Sequence, residues 1–454
     1  MSTKLSHFAK VLLFSFIIFL TSTGQQQNCG TGCGKTPCPQ ETLCPGVEKG
    51  QPCPSDITLT VWRLFDDSDT MEPLFESYKQ KYYQISKTKV TFEYKKMNYD
   101  NYENTLVQAL AANQGPDIFQ IHNDWVPKHN ALIEPIPDEI MDIKQYKDMF
   151  VDVAASDFIA NDNIYAIPFS VDTLALYYNK KILEKNEYYS PPSTWTQLTE
   201  YSRKLSKISS GNILSSGVTL GTANNINRAS DILYAMMIQN GTNMTSPDNS
   251  SASFALPTRT PTGDTFYPGL KSLNFYTSFA DPISENFCWN QSMMGSLEAF
   301  EKGYSAMTIN YSYQEPVIEK FKDPSVEFKV ARLPQIYDTD DPISYANYWG
   351  ESVSRQSKNA AWAWDFIKFV AENGYYNQRT NKPTSLRDNA KQSSDVFDQQ
   401  SFYAKSFYKI DGNKVDNIFN QMITDVSTNN VDSEQALNKA QNDITDLMIK
   451  AKTQ

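Results

Sequence analysis

The stretch IYAIPFSVDTLALYYNK, residues 164–180, decides how the rest of the chain is read. It is a strand, a break that carries Pro168 and Asp172, and then an almost wholly apolar strand running to Asn179. A break of this kind inside one sheet region is how a chain crosses between two lobes while exposing polar groups to a ligand. The remaining sequence is therefore read for two lobes and a cleft.

Length and composition allow that reading. A chain of 454 residues can build two domains, each with its own core. Apolar content of 40% with 20% charged residues is that of a soluble globular protein. The net charge of -11, with no basic stripe, argues against nucleic acid and against anionic lipid as partners of the folded body. The 26 Tyr, 25 Phe and 7 Trp exceed what cores alone require and leave aromatic planes for a binding surface.

The N-terminus reads as targeting rather than fold. Lys4 and Lys10 precede an apolar run over 11–20, closed by Thr21, Ser22, Thr23 and Gly24. That run is short for a membrane span and fits a signal peptide over 1–24, with an uncleaved anchor as the alternative. Residues 25–55 hold Cys29, Cys33, Cys38, Cys44 and Cys53 among Gly, Pro and polar residues. In an exported chain this density implies disulfides in a tether, and Cys29 is also the first candidate for lipidation. Membrane contact is thus expected only through the N-terminal segment. Cys288 stands alone and is expected to be a buried thiol.

From Asp56 the pattern is β-α-β-α-β. Residues 57–64 alternate in strand period. Leu74, Phe75 and Tyr78 share a helix face, 90–94 is a second strand, and Tyr102, Leu106, Ala109 and Leu110 form another stripe. Gly115 and Pro116 stop that helix before a third strand over 117–121. Alternation of this kind implies a mostly parallel sheet flanked by helices, with ligands bound in the loops after the strands. Those loops hold Asp66 and Asp67 after the first strand, and 122–125 after the third.

Six ordered segments then carry a family likeness: GPDIFQIHNDW (115–125), IYAIPFSVDTLALYYNKKIL (164–183), PPSTWTQLTEYSRKL (191–205), AFEKGYSAMTINYSY (299–313), VARLP (330–334) and YWGESVSRQSKNAAWAWDFIKFV (348–370). The set resembles the family 1 extracellular solute-binding proteins of ABC transporters, the group that includes maltose-binding protein. The resemblance implies an α/β fold with two lobes, 56–169 plus 352–388 and 172–350 plus 390–454. It implies crossings near Ser170, Glu351 and Arg387 that act as the hinge. Closure around a solute would present one surface to a membrane permease.

Ligand candidates follow from those positions. Asp124 and Trp125 end the third strand, Asp172 lies at the first crossing, Tyr313 follows the AMTIN strand, and Trp349 stands at the second crossing. A sugar needs aromatic planes and carboxylates or amides that accept paired hydrogen bonds, which adds Asp66 and Trp289, with Trp62 more at home in a core. Trp195 is expected to pack a helix start. His122 and His129 are too far apart in a Pro-interrupted loop to pair on a metal, and no cofactor motif is present.

Cleft residues that are acidic and aromatic, with only Arg63, Arg332 and Arg355 in reach as cations, favour a neutral carbohydrate, an oligosaccharide above all. A cationic solute such as a polyamine is the alternative, and a ligand-sensing subunit for a membrane receptor is another. No G-x-S-x-G, H-E-x-x-H or P-loop supports a hydrolase, and no catalytic residue is assigned. The Ser, Thr, Asn and Pro-rich residues 240–263 read as a surface excursion of the second lobe.

Overall fold

A computed structural model describes residues 44–259 and 262–452. Residues 1–24, expected to be a signal peptide, and Cys29, Cys33 and Cys38 lie outside the described residues. Of the tether, Cys44 is disulfide-bonded to Cys53. Cys44 is buried in the first lobe's core, with Val47 and Cys53 packed against it, so the end of the tether belongs to the body.

The first lobe is built on strand β1 (Asp56–Arg63), helix α1 (Ser68–Ser86), strand β2 (Lys89–Lys96), helix α2 (Tyr102–Ala111) and strand β3 (Ile118–His122). Helix α1 buries Met71, Leu74, Phe75, Tyr78 and Tyr82, one stripe at helical spacing. The strands β1, β2 and β3 pair in parallel, as the alternation of strands and helices requires. The strand Trp349–Val353 then joins β3 antiparallel, with Trp349 opposite His122 and Glu351 opposite Gln120. Its antiparallel sense has a simple cause. β3 ends at the cleft, whereas Trp349–Val353 enters the lobe from the cleft side and runs away from it. Gly350 sits where the chain has no room: a Cβ there would lie 2.7 Å from Phe158 Cζ and 2.8 Å from Ala166 Cβ.

The second lobe has its own sheet, centred on the fully buried strand Ser305–Asn310. The strand Ala175–Asn179 pairs antiparallel with it, having also entered from the cleft side, and Asn212–Val218 pairs in parallel. The expectation of mostly parallel pairing therefore holds at the start of the first lobe and fails in the second, where the outer strands Phe328–Arg332 and Lys207–Ser209 are antiparallel to their neighbours as well. Helix Ala229–Gln239 is buried on nearly every side, packed against Pro268–Thr277 and Gly412–Ser427, on which the C-terminal helix Ser433–Lys452 packs in turn. The 240–263 excursion is less superficial than its composition implies, since Met244, Ala252 and Phe254 anchor it in this core.

Two core clusters mark where the chain changes lobe. Val171 is buried in the first and Leu174 in the second, so Asp172 and Thr173 make the first crossing, with Ser170 bridging to Thr384 just before it. Tyr345 lies in the second core and Tyr348 in the first. Glu351 is thus not at a crossing: it is 2% exposed in mid-strand within the first lobe. Arg387 is not at one either. It opens a short helix on the first lobe, where its guanidinium bonds Asp152 and the Lys147 carbonyl, and Ala390 beyond it is still in the first core. Beyond it Phe397 packs with Tyr177 and Phe300, Phe402 and Ala404 return to the first core, and Phe407 packs on the second, so this passage ends only after Ala404.

Candidate functional site

Between the two sheets lies a cleft of about 1470 Å³, lined by residues of both lobes. Its floor is an ionic cluster set by the end of β1. Arg63, 1% exposed, points Nη2 at Asp66 Oδ2 (2.8 Å) and Nη1 at Glu351 Oε1 (2.9 Å). Phe169 and Tyr376, themselves in contact at 5.3 Å, both lie against the guanidinium, with ring centroids 5.1 and 5.0 Å away. Lys382 Nζ donates to Asp66 Oδ1 (2.9 Å) and the Tyr376 hydroxyl donates to Asp66 Oδ2 (2.9 Å). Burial alone would raise the Asp66 pKa, but Arg63 and Lys382 hold it at about 2. Glu351 shares the guanidinium and, among the described residues, accepts one further hydrogen bond, from Gln120 Nε2, so burial prevails and pushes it up to about 7.

Asp124, at the turn after β3, is also occupied. Its Oδ1 lies 2.6 Å from His122 Nδ1, and its Oδ2 faces Lys409 Nζ at 3.8 Å and the Cα of Gly412. Burial opposes ionisation, yet His122 and Lys409 hold the carboxyl at about 2. In return Asp124 raises His122 against its burial. His122 lines the cleft.

Aromatic rings form the wall above. Trp349 meets His122 and Trp125 at 5.2 Å, Phe65 at 5.8 Å, Tyr102 at 6.0 Å and Tyr99 at 6.3 Å, all nearly edge-on. From the second lobe, Tyr313 reaches the same cleft, 42% exposed and stacked on Tyr311. Arg228, held at φ 64°, lies over both rings and donates from Nε to the Tyr313 hydroxyl (3.0 Å).

Asp172 joins the crossing to this segment. It accepts from the Thr173 amide, the Ser312 amide and hydroxyl, and the Tyr313 amide. Burial outweighs these donors and lifts it to about 6. Asp157 likewise rises to about 6 through burial, although Ser406, Tyr348 and Asn123 all donate to it.

A pH dependence follows. Carboxyls whose folded pKa exceeds the unfolded value bind protons more tightly when folded, so Asp157, Asp172 and Glu351 make stability fall as pH rises from about 4 to about 7. Asp66, Asp124 and Glu103, all near 2, act oppositely: their contribution is complete above about pH 4 and is lost as pH drops toward 2. We expect the urea-unfolding midpoint to be higher at pH 5 than at pH 7.5, with the further gain from Asp157, Asp172 and Glu351 below about pH 4 offset by the loss from Asp66, Asp124 and Glu103. A midpoint highest at pH 7.5 contradicts this.

Of the residues chosen from sequence, Asp66, Asp124, Trp125, Asp172, Tyr313 and Trp349 line one cleft. Trp289 does not. It is fully buried in the second lobe's core, where Nε1 donates to Asn225, because its segment folds back under helix Trp195–Leu205 instead of reaching the cleft. Trp62 packs outside the cleft beneath Lys95. Arg332 and Arg355 are tied up elsewhere, with Gln399 and the Ile133 carbonyl. The cleft's cations are Arg63, Arg228 and Lys382, the last two unforeseen, and Phe65 and Tyr99 were unforeseen too. The rule that singles out loops after parallel strands would have found both aromatics, since Phe65 follows β1 and Tyr99 follows β2. Arg228 and Lys382 have no such local signal.

The family model described as bacterial extracellular solute-binding protein matches residues 74–394. A maltotriose-binding protein of Pyrococcus abyssi is 31% identical over 149 residues, 32% of this chain and only 30% of its own length. A binding protein of Brucella abortus is 22% identical over 306 residues, 66% of this chain and 68% of its own. Among solved structures, the sugar-binding protein MalE of Xanthomonas citri superposes with a TM-score of 0.72 at 14% identity, covering 87% of this chain and 98% of that one. The cyclic alpha-maltosyl-1,6-maltose binding protein of Arthrobacter globiformis gives 0.69 at 19% identity, covering 87% and 99%. At these identities the structures establish a shared two-lobed fold.

Proposed function

Because the chain belongs to the bacterial extracellular solute-binding protein family, we propose that it captures a neutral oligosaccharide in the cleft and delivers it to the permease of an ABC importer. The observation that carries this reading is the pairing of an aromatic wall around Trp349 with Tyr313 on the other lobe. Sugars present apolar C–H faces that stack on such rings while their hydroxyls seek polar partners at the edges. Trp349, Trp125 and Tyr313 are the stacking residues. Asp66, Asp124 and Asp172 hold the frame and offer their remaining lone pairs.

The state of the carboxylates favours a neutral solute over a polyamine. Deep in the cleft a cation cage would need acids without partners, whereas Asp66 has two cations, Asp124 has His122 and Lys409, and Asp172 has four donors. The sugar-binding relatives are consistent with the same choice. Delivery to a permease rather than a receptor rests on the family, as does export; the tethering of the N-terminus remains part of the proposal.

A thermal-shift screen of the mature chain against malto-oligosaccharides, monosaccharides, polyamines and amino acids tests the reading. A ligand at about a hundred times its Kd should add roughly 2.7 kcal/mol, a shift of a few degrees. Stabilisation by polyamines alone would overturn the carbohydrate reading.

A further inference from the structure

Asp66, Asp124 and Asp172 are engaged deep in the cleft, but a second group of polar side chains at its edge is not. Phe65 and Tyr99 are 48% and 59% exposed and line the cleft side by side. Their centroids are 6.1 Å apart and their rings are tilted by 36°. Both stand at more than 70° to the plane of Trp349, so they offer a second platform and do not extend the first. Beside them, Asp100, Asn101 and Asn104 are exposed and line the same cleft. Asn101 occupies the N-cap position of α2, yet its side chain caps nothing. Among the described residues, none of these three side chains has a hydrogen-bond or ionic partner in the protein. Aromatic faces edged by a free carboxylate and free amides are what a pyranose ring requires.

We propose that Phe65 and Tyr99, with Asp100, Asn101 and Asn104, form a separate sugar subsite at the mouth of the cleft. It takes the outer unit of an oligosaccharide whose inner units lie against Trp349. The proposal rests on the carbohydrate reading above and deepens it: the chain selects by oligosaccharide length. A disaccharide fills the inner part, and a third or fourth unit gains the mouth platform. Because the two platforms are steeply inclined, the bound chain turns where it passes from one to the other.

The test is calorimetric titration of the mature chain with malto-, cello- and manno-oligosaccharides of two to five units. The series that binds is then repeated with F65A/Y99A and with N101A/N104A. All four side chains are at the surface, so both variants should keep the fold, which circular dichroism and melting temperature check. In the unchanged protein, affinity should rise roughly tenfold between the disaccharide and the longer members, the size expected for stacking on two rings. F65A/Y99A should lose most of that gain and weaken the longer members far more than the disaccharide, and N101A/N104A, which leaves the rings against Trp349 in place, should lose part of it. A gain that survives in F65A/Y99A, or a disaccharide weakened as much as the longer members, overturns the mouth subsite and leaves the carbohydrate reading intact. If no carbohydrate in the panel binds, that reading falls and the subsite falls with it.

Discussion

Replacing Arg63 by Met is expected to cost about 3–5 kcal/mol of folding stability at neutral pH, the range for breaking a buried charge pair from one side. The guanidinium is 1% exposed and is the shared counter-charge of Asp66 and Glu351. Asp66 would keep Lys382 and the Tyr376 hydroxyl. Among the described residues, Glu351 would keep only the Gln120 amide, in a setting where it already titrates near 7 with Arg63 present. It must then take up a proton or remain as an uncompensated buried charge. Two further results separate this account from simple loss of packing against Phe169 and Tyr376. The penalty of R63M should shrink between pH 7.5 and pH 5, as Glu351 protonates, and R63M/E351Q should recover part of the lost stability. Denaturant midpoints at both pH values measure each. A penalty equal at the two pH values, with no recovery in the double variant, would assign the role of Arg63 to shape alone.

Trp349→Ala should weaken oligosaccharide binding at least tenfold, about 1.4 kcal/mol or more, while the fold persists. Trp349 is only half-buried, so its removal does not open a closed cavity, but it is the ring that Phe65, Tyr99, Tyr102, His122 and Trp125 all meet edge-on. Its loss takes away one stacking plane and the lateral support of the others. Trp349→Phe keeps a plane in the same strand position and should lose much less. Titration of both variants with the best ligand from the screen gives the comparison. Affinity unchanged in a folded Trp349→Ala protein would remove this residue from the site.

These two residues show how the frame and the site share parts. Arg63 is the last residue of β1 and Trp349 the first of the strand that enters from the other lobe. Both stand at the cleft because parallel strands end there and crossing strands begin there. Asp172 adds the link between lobes, since it belongs to the first crossing and holds the amides of Ser312 and Tyr313. The chain passes between the two cores at 170–173 and at 345–348, and the buried Glu351 strand lies wholly within the first.

Much of the first lobe was legible because its signals are local. Alternation over 57–64, the helix stripe of Leu74, Phe75 and Tyr78, and the stop at Gly115 and Pro116 each depend on residues a few positions apart. The break at Pro168 and Asp172 was legible for the same reason, and with it the existence of two lobes and a cleft. Strand direction in the second lobe was not, because it depends on which side a chain enters a sheet. Nor was the fate of single tryptophans: Trp289 and Trp349 look alike as letters, and only packing sends one under a helix and the other to the cleft wall. The carboxylates were found as candidates but not as partners. Asp66 lies 316 residues from Lys382, and Asp124 lies 285 from Lys409, so their counter-charges could be supplied only by the folded chain. The sequence by itself determined the elements, the crossing and the chemical character of the cleft. The tertiary structure decided which acids are already satisfied and which side chains remain free for a ligand, because charge pairing and burial are set by contacts between segments that the sequence keeps hundreds of residues apart.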